Sequence, residues 1–286
     1  MRAPIRGIRG RWPAWLEQRQ PRLFRVDPRV LLDEAPSAEA FRDVMSSIHV
    51  GATIKITGID RHGPADDLLL QHVDLDGARI VDIGASDGST SVDLVRRLPG
   101  FSSYVMADLY LRLDAVSVGR RVVFTDPDGQ CVLVAGPRVV AWPSLSRTVR
   151  FAYAGVIARA RRGVPREVLL LGPDARELMR TDDRVSARVH DVFQPWSGET
   201  PDVIKVANVL RRLYFSDAEI SRALRALLAS LADGGHLLVL DNPRIPGVAI
   251  RAGLYRRTGD RFSLVARTED APEIADLIET SELVPS

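Results

Sequence analysis

Asp82, Gly84, Ser86 and Gly88 fall at every second position of the stretch Asp82-Ile83-Gly84-Ala85-Ser86-Asp87-Gly88. Small residues let a backbone approach a ligand closely, and here an acid stands two residues ahead of them. A dinucleotide fingerprint asks for Gly at 84, 86 and 89. This chain has Gly84, Ser86 and Ser89, so the phase of its small residues argues against a pyrophosphate-binding loop. Other side chains able to do chemistry are Asp108, Asp174, Asp191, Asn208, the pair Asp241-Asn242 and five histidines. Cys131 is the sole cysteine, which excludes an intrachain disulfide framework and a Cys-cluster zinc site.

These residues need a scaffold, and the hydrophobic pattern supplies one. Arg79–Ile83 is a short apolar run leading into the loop. Val92, Val95 and Leu98 then recur at helical spacing until Pro99-Gly100; this is strand, tight loop, helix. Tyr104–Ala107 reads as a second strand ending at Asp108. Val168–Leu171, 186–191, 202–207 and His236–Leu240 read as further strands, with a helix at 174–180. Ser216-Asp-Ala-Glu219 is a capping box opening a helix that carries Ile220, Leu224, Leu227, Leu228 and Leu231 on one face. Residues 251–257 and 261–267 around Thr258-Gly-Asp260 form an antiparallel hairpin. Alternation of strands and helices implies an α/β fold: a Rossmann-like, doubly wound, mostly parallel sheet with an antiparallel C-terminal hairpin. In such a sheet ligands bind at the carboxyl ends of the strands, where the 84–88 loop and Asp108 fall.

Two regions depart from the alternation. Residues 1–50 read as a basic arm, ordered by docking, followed by a helix from Ser37 to about Ser47; a turn-rich stretch follows at 57–64. Residues 111–165 read as an insertion, with a hairpin (121–124 and 131–134) and a helix whose apolar row is Leu145, Val149, Tyr153 and Ile157. The expected organisation is therefore a domain formed by 51–110 and 166–286, with 111–165 as an inserted hairpin-helix cap over the substrate.

The pattern Asp82-x-Gly84-x-Ser86-x-Gly88 resembles the first motif of class I S-adenosylmethionine-dependent methyltransferases. The resemblance extends to Asp108 at the end of the second strand, to 189–193, to 202–210, to the turn 231–235 and to the last hairpin, about 180 of the 286 residues. It implies a site for S-adenosyl-L-methionine, with S-adenosyl-L-homocysteine as product. Asp82 would hold the ammonium, with Gly84, Ala85, Ser86 and Gly88 against the cofactor. Asp108 would hold the ribose hydroxyls with Leu109 beside it; Asp191, Val192 and Phe193 would cap the adenine; Asn208 would lie beneath the reactive methyl. Asp174 rivals Asp108 for the ribose, because the insertion blurs which strand is second. Replacing Asp82 or Asp108 by Ala would weaken binding and leave folding little changed.

A closer resemblance is to chemotaxis-receptor glutamate (carboxyl) methyltransferases, whose fourth motif reads Asn-Val-Leu-Ile-Tyr-Phe and whose capping element reads Thr-x-Phe-Phe-Arg. Here Asn208-Val-Leu210 and Tyr214-Phe215 are separated by Arg211-Arg-Leu213, two residues longer, and Thr57-Gly-Ile-Asp-Arg61 keeps Thr and Arg but lacks both Phe. By that analogy Arg61 clamps the methionine carboxylate. The departures leave the receptor substrate itself unsupported. The implied reaction is methyl transfer to an O nucleophile, a carboxylate among them, or an N nucleophile of a small molecule or peptide. The alternative is a non-catalytic cofactor- or partner-binding protein on the same fold. His62 and His190 are candidate bases for a hydroxyl acceptor, Tyr214 a candidate wall of its pocket, and His236 reads as a core residue. Asp241-Asn242 resembles half of a Mg²⁺ site, but Ala207 stands where a second carboxylate is needed, so no metal is expected.

At 286 residues, 45% apolar and 27% charged, the chain is long enough for a large core without staples. No apolar run is long enough for a membrane span, and the Arg-rich start lacks the apolar core of a secretory signal; the expected location is the cytoplasm. Net charge is +2 but uneven: residues 1–30 and 111–165 each carry +6, leaving −10 for the rest. Such segregation suggests an anionic acceptor at the basic segments, or a peripheral membrane contact through Trp12 and Trp15, or two solvated faces. No Asn/Asp-Pro-Pro-aromatic signature is present, so nucleic acid is not expected as partner.

Overall fold

The apolar runs become a seven-stranded sheet in the computed structural model, which describes residues 3–19, 26–45, 48–50, 53–54, 61–242 and 249–280. Its strands are β1 (Arg79–Ile83), β2 (Ser103–Asp108), β3 (Val185–Val189), β4 (Val203–Ala207), β5 (His236–Asp241), β6 (Arg251–Thr258) and β7 (Arg261–Arg267). They lie in the order β3-β2-β1-β4-β5-β6-β7. The first five are parallel; β6 runs antiparallel to β5 and to β7. The chain starts in the middle, winds to one side through β2 and β3, then crosses back to β4. The switch point thus lies between β1 and β4, and the crevice at their carboxyl ends is where such sheets take ligands.

Alternation along each strand sorts the two faces. Val81, Ile83, Ile204, Val206, Leu237 and Val239 form one core with Ile220, Leu224 and Leu227 of the helix Asp217–Ser230 and with Ile274 and Ile278. That helix opens on the expected capping box, with Ser216 and Glu219 bonding each other's backbone N–H. Ile80, Asp82, Tyr104 and Lys205 point to the opposite face, where the helix Gly63–His72 contributes Ala65, Asp66 and Leu69, all buried.

The chain divides into two compact units, Met1–Thr57 with Tyr110–Pro173, and Gly58–Leu109 with Asp174–Ser286. The second holds the sheet just described. The first is built on an antiparallel six-stranded sheet in the order Ile5–Gly7, Val139–Ala141, Cys131–Ala135, Arg121–Thr125, Arg112–Val118, Arg166–Leu169. Phe41, Val44 and Met45 of the helix Ala38–Met45 cover one face. Ile157 and Ala160 of the helix Arg147–Ala160 cover the other, against Val116, Val123 and Val134.

The inserted hairpin and helix are therefore present, within a larger sheet than expected. The basic arm docks as its edge strand: Ile8 is buried, and Trp12 Nε1–H donates to the Arg138 carbonyl at 2.9 Å. Ala14–Arg19 is a short helix that the surrounding Pro and Gly concealed. One strand changes place. The run 168–171, expected in the parallel sheet, forms at Arg166–Leu169 and pairs antiparallel with Arg112–Val118. An apolar run buries itself equally well in either sheet, and its neighbour is not written in it. Of the helix expected to reach Ser47, residues 46 and 47 lie outside the described residues, as do 57–60 of the turn-rich stretch. Among the described residues no helix is long and apolar enough to cross a membrane.

Candidate functional site

The loop leaving β1 is held by the end of β2. Gly84 and Ala85 N–H both donate to the Ala107 carbonyl, at 2.8 and 3.2 Å, and Ser86 N–H donates to Asp108 Oδ2 at 2.9 Å. Gly84, Ser86 and Gly88 have φ of 84°, 59° and 79°. A β-carbon at Gly84 would overlap Val209 Cγ2 and crowd the Ala207 carbonyl, so both backbone angle and packing require glycine there. Ser86 is a non-glycine residue in the left-handed region, a conformation that costs about 1–3 kcal/mol and collects at functional sites. The spacing of small residues at 84, 86 and 88 is the left-handed repeat of this loop. Ser86 Oγ is buried without a partner among the described residues. Leu109, next to Asp108, is 46% exposed.

Beneath the loop lies a buried polar cluster. Asp82 is 1% exposed. Its Oδ2 accepts from Ser91 Oγ at 2.7 Å and Tyr104 Oη at 2.9 Å, and its Oδ1 is buried with no partner among the described residues. Asp82 therefore supports the fold as well as the loop, which corrects the expectation that its loss would leave folding little changed: two buried hydroxyls would lose their acceptor. Lys205 stands level with Asp82 on β4, is 0% exposed, and donates to Asp66 Oδ1 at 2.7 Å. Burial pushes the Asp66 carboxyl above the usual range, Asp82 adds to that, and Lys205 works against it. Sequence reasoning passed over Lys205 and Asp66. The available signal was one lysine inside the apolar run Val203-Ile-Lys-Val-Ala207, since lysine is almost never fully buried unless paired.

A third group gathers at the carboxyl ends of β4 and β5. Asn208 has φ 60°. Its Oδ1 accepts from Asn242 N–H at 2.7 Å and its Nδ2 donates to Asn242 Oδ1 at 2.9 Å. The same Nδ2 lies 3.4 Å from His62 Nε2, and Asn242 Nδ2 donates to the Arg61 carbonyl at 3.3 Å. His62 is 5% exposed and its Nδ1 has no partner among the described residues. Burial holds its pKa well below the usual histidine value; the positive charges of Lys205 and Arg61 add to this, and Asn242 opposes it. Asp241 Oδ2 accepts from Glu273 N–H at 2.7 Å, and its Oδ1 is buried with no partner among the described residues.

The remaining candidates divide. His190 N–H donates to the Asp108 carbonyl at 3.1 Å, which ties the 190–193 segment to the end of β2. The His190 ring stands edge-on to Trp196, centroids 5.0 Å apart, and burial lowers its pKa. Asp191 Oδ1 accepts from Phe193 N–H at 3.0 Å. Val192 turns into the core, while Phe193 packs edge-on against Phe215 at 5.1 Å with Arg222 over its ring. Tyr214 lies beside Phe215, centroids 6.4 Å apart. Asp174 is exposed in the first turn of the helix Pro173–Thr181; the strand before it belongs to the other sheet, so Asp108 alone of the two ends a strand of the parallel sheet. His236 is partly buried rather than a full core residue. Loop 82–88, Asp108, Leu109 and Asp191 thus share one end of the sheet with Arg61, His62 and Asn208.

No protein-family model matches the chain, and no curated protein does. Solved structures similar to it include the [4+2]-cyclase SpnF (18% identity, 62% of this chain and 44% of that one, TM-score 0.33). Another is the complex of the Haloferax volcanii Trm112 methyltransferase activator with a putative methyltransferase (14%, 64% and 53%, TM-score 0.34). A third is CalS10 with bound SAM, an amino pentose methyltransferase from Micromonospora echinaspora (15%, 72% and 68%, TM-score 0.34). The chain spans about half the length of the first two. At these identities and scores they assign neither family nor activity.

Proposed function

We propose that the protein is an S-adenosylmethionine-dependent methyltransferase of class I, acting on an oxygen or nitrogen nucleophile. The observation that carries this reading is the bond from Ser86 N–H to Asp108 Oδ2, which locks a left-handed small-residue loop against the acid ending the next strand. The donor set suits a nucleoside with an amino-acid tail and no phosphate. Asp108 is an acceptor for ribose hydroxyls, and exposed Leu109 offers an apolar surface to a base. The Oδ1 of Asp82, without a partner among the described residues, suits a cationic donor such as an ammonium. Residues 82–91 contain no lysine or arginine that would answer a pyrophosphate.

The cofactor supplies a methyl group already activated on a sulfonium. The chain's own work is then to bind and align two reactants and exclude water, so proximity is the main source of rate. In this reading Gly84, Ala85 and Gly88 give backbone access, and Asp191 with the backbone of Val192 and Phe193 borders the base. Arg61 holds the carboxylate, Asn208 lies under the methyl, and Tyr214 borders the acceptor. A carboxylate acceptor is its own nucleophile and needs no base. Residues 145–166 of the other unit hold six arginines and no acid, all six exposed, a face suited to an anion.

Calorimetry with S-adenosylhomocysteine tests the reading. The wild-type protein is expected to bind it, and Asp108→Ala to bind about tenfold to a hundredfold more weakly, the worth of a hydrogen bond to a charged group. Asp108→Asn keeps an acceptor for Ser86 N–H and controls for the loop. A wild-type protein that does not bind, or an Asp108→Ala variant that binds as wild type, overturns it.

A further inference from the structure

The group around His62 defines which of its ring nitrogens carries the proton. Asn208 Oδ1 accepts from a backbone N–H, that of Asn242, and this fixes the Asn208 amide: its other atom, Nδ2, is a donor. One Nδ2 hydrogen goes to Asn242 Oδ1. The second faces His62 Nε2 at 3.4 Å, an approach that suits Nε2 as acceptor, while the Asn242 side chain favours a proton on the ring. A neutral imidazole that accepts at Nε2 carries its hydrogen at Nδ1. That Nδ1–H is buried and has no partner among the described residues. A buried donor without an acceptor is costly, and the charges around this one, Arg61 and Lys205, are positive. They favour an anionic acceptor, and they disfavour the imidazolium that a general base would have to become.

We infer that His62 is held as its Nδ1–H tautomer by Asn208 and Asn242, and that this N–H donates to a carboxylate oxygen of the bound cofactor. His62 is thus a ligand-binding donor beside Arg61 and not a base. The ligand half of this inference rests on the methyl-transfer reading; the tautomer does not. An acceptor that must lose a proton would have to lose it elsewhere than to His62, which fits a nucleophile already deprotonated, such as a carboxylate.

Nitrogen-15 NMR of the histidine rings at pH 7 reads the tautomer directly. The expected spectrum has a protonated, pyrrole-type Nδ1 and a bare, pyridine-type Nε2 for His62, and Asn208→Asp, which replaces the donor by an acceptor, inverts them. Titration with S-adenosylhomocysteine is expected to move the Nδ1 resonance. His62→Ala should weaken S-adenosylhomocysteine binding about tenfold and leave 5′-methylthioadenosine, which lacks the carboxylate, within twofold. His62→Asn, whose Nδ2 replaces the lost donor, should recover most of the loss, which a variant that merely misfolds would not. A bare Nδ1 in the wild type overturns the tautomer. Wild-type binding of S-adenosylhomocysteine with no selective loss in His62→Ala overturns the donor role while leaving the methyl-transfer reading intact. A wild-type protein that binds neither nucleoside overturns that reading and the ligand half together.

Discussion

Lys205 is one of only two lysines in a chain of 286 residues, and it is fully buried. Taking an ammonium out of water costs several kcal/mol, and only a close partner offsets it; Asp66 at 2.7 Å is that partner. Lys205→Met therefore leaves a buried carboxylate alone and is expected to lower stability by about 3–5 kcal/mol. Lys205→Met with Asp66→Leu should recover most of it, as urea denaturation would report. His62 sets a different dependence. Its folded pKa lies below its unfolded value, so the unfolded chain takes up a proton first as pH falls. Stability contributed by neutral His62 is full above the unfolded pKa of about 6.5 and is lost as pH falls below it, by at most about 1.4 kcal/mol per pH unit. Urea titrations at pH 7.5 and 5.5 should show His62→Asn with the shallower decline. Of this scale the sequence showed the loop and its acids, because small residues at alternate positions have one main use. It hid the pairings of Asp82, Lys205 and Asp66, since which buried charges meet depends on strand register and on a helix crossing the sheet.

Among the elements, β1, β2, β4 and β5 were legible because each is an apolar run bounded by turn residues, and the last hairpin because Thr258-Gly-Asp260 separates two alternating segments. The strand Arg112–Val118 went unread although Leu113 and Ala115 alternate with Asp114 and Val116 and are buried in it. The helix Arg147–Ala160 was read from a row spaced by four residues; Val149 and Ile157 are buried as that row requires, whereas Leu145 precedes the helix and is exposed. Its outer face carries Arg147, Arg150 and Phe151, the last 86% exposed. Because these arginines are exposed, Arg147→Glu with Arg150→Glu should leave the melting temperature and S-adenosylhomocysteine affinity unchanged while weakening retention on a cation exchanger. The wild-type protein is not expected to sediment with anionic vesicles; salt-sensitive sedimentation would reassign this face to a membrane.

Across the whole molecule, charge follows the division into units. The unit made of 1–57 and 110–173 holds twenty basic residues against ten acidic ones, and the other holds nineteen against twenty-seven. A net charge of +2 thus conceals units of +10 and −8. The expected behaviour is retention on both cation and anion exchangers at pH 7 and low ionic strength, released as salt approaches about 0.15 M, where charges more than about 8 Å apart are screened. Retention on neither would mean that the charges are neutralised locally. The uneven charge could be counted in the sequence, but the unit boundaries could not, because the six-stranded sheet draws on two separated stretches of chain. That sheet has a consequence for synthesis. Its edge strand Ile5–Gly7 pairs with Val139–Ala141, so this strand, once it has left the ribosome, waits for more than 130 residues to follow it. At roughly 5–20 residues per second the wait is on the order of ten seconds, with Ile8 and the strand's hydrogen-bonding edge uncovered. During that interval the nascent chain offers a bare strand to any neighbour, and a slow translation rate or a holding chaperone would decide its yield before the finished fold could.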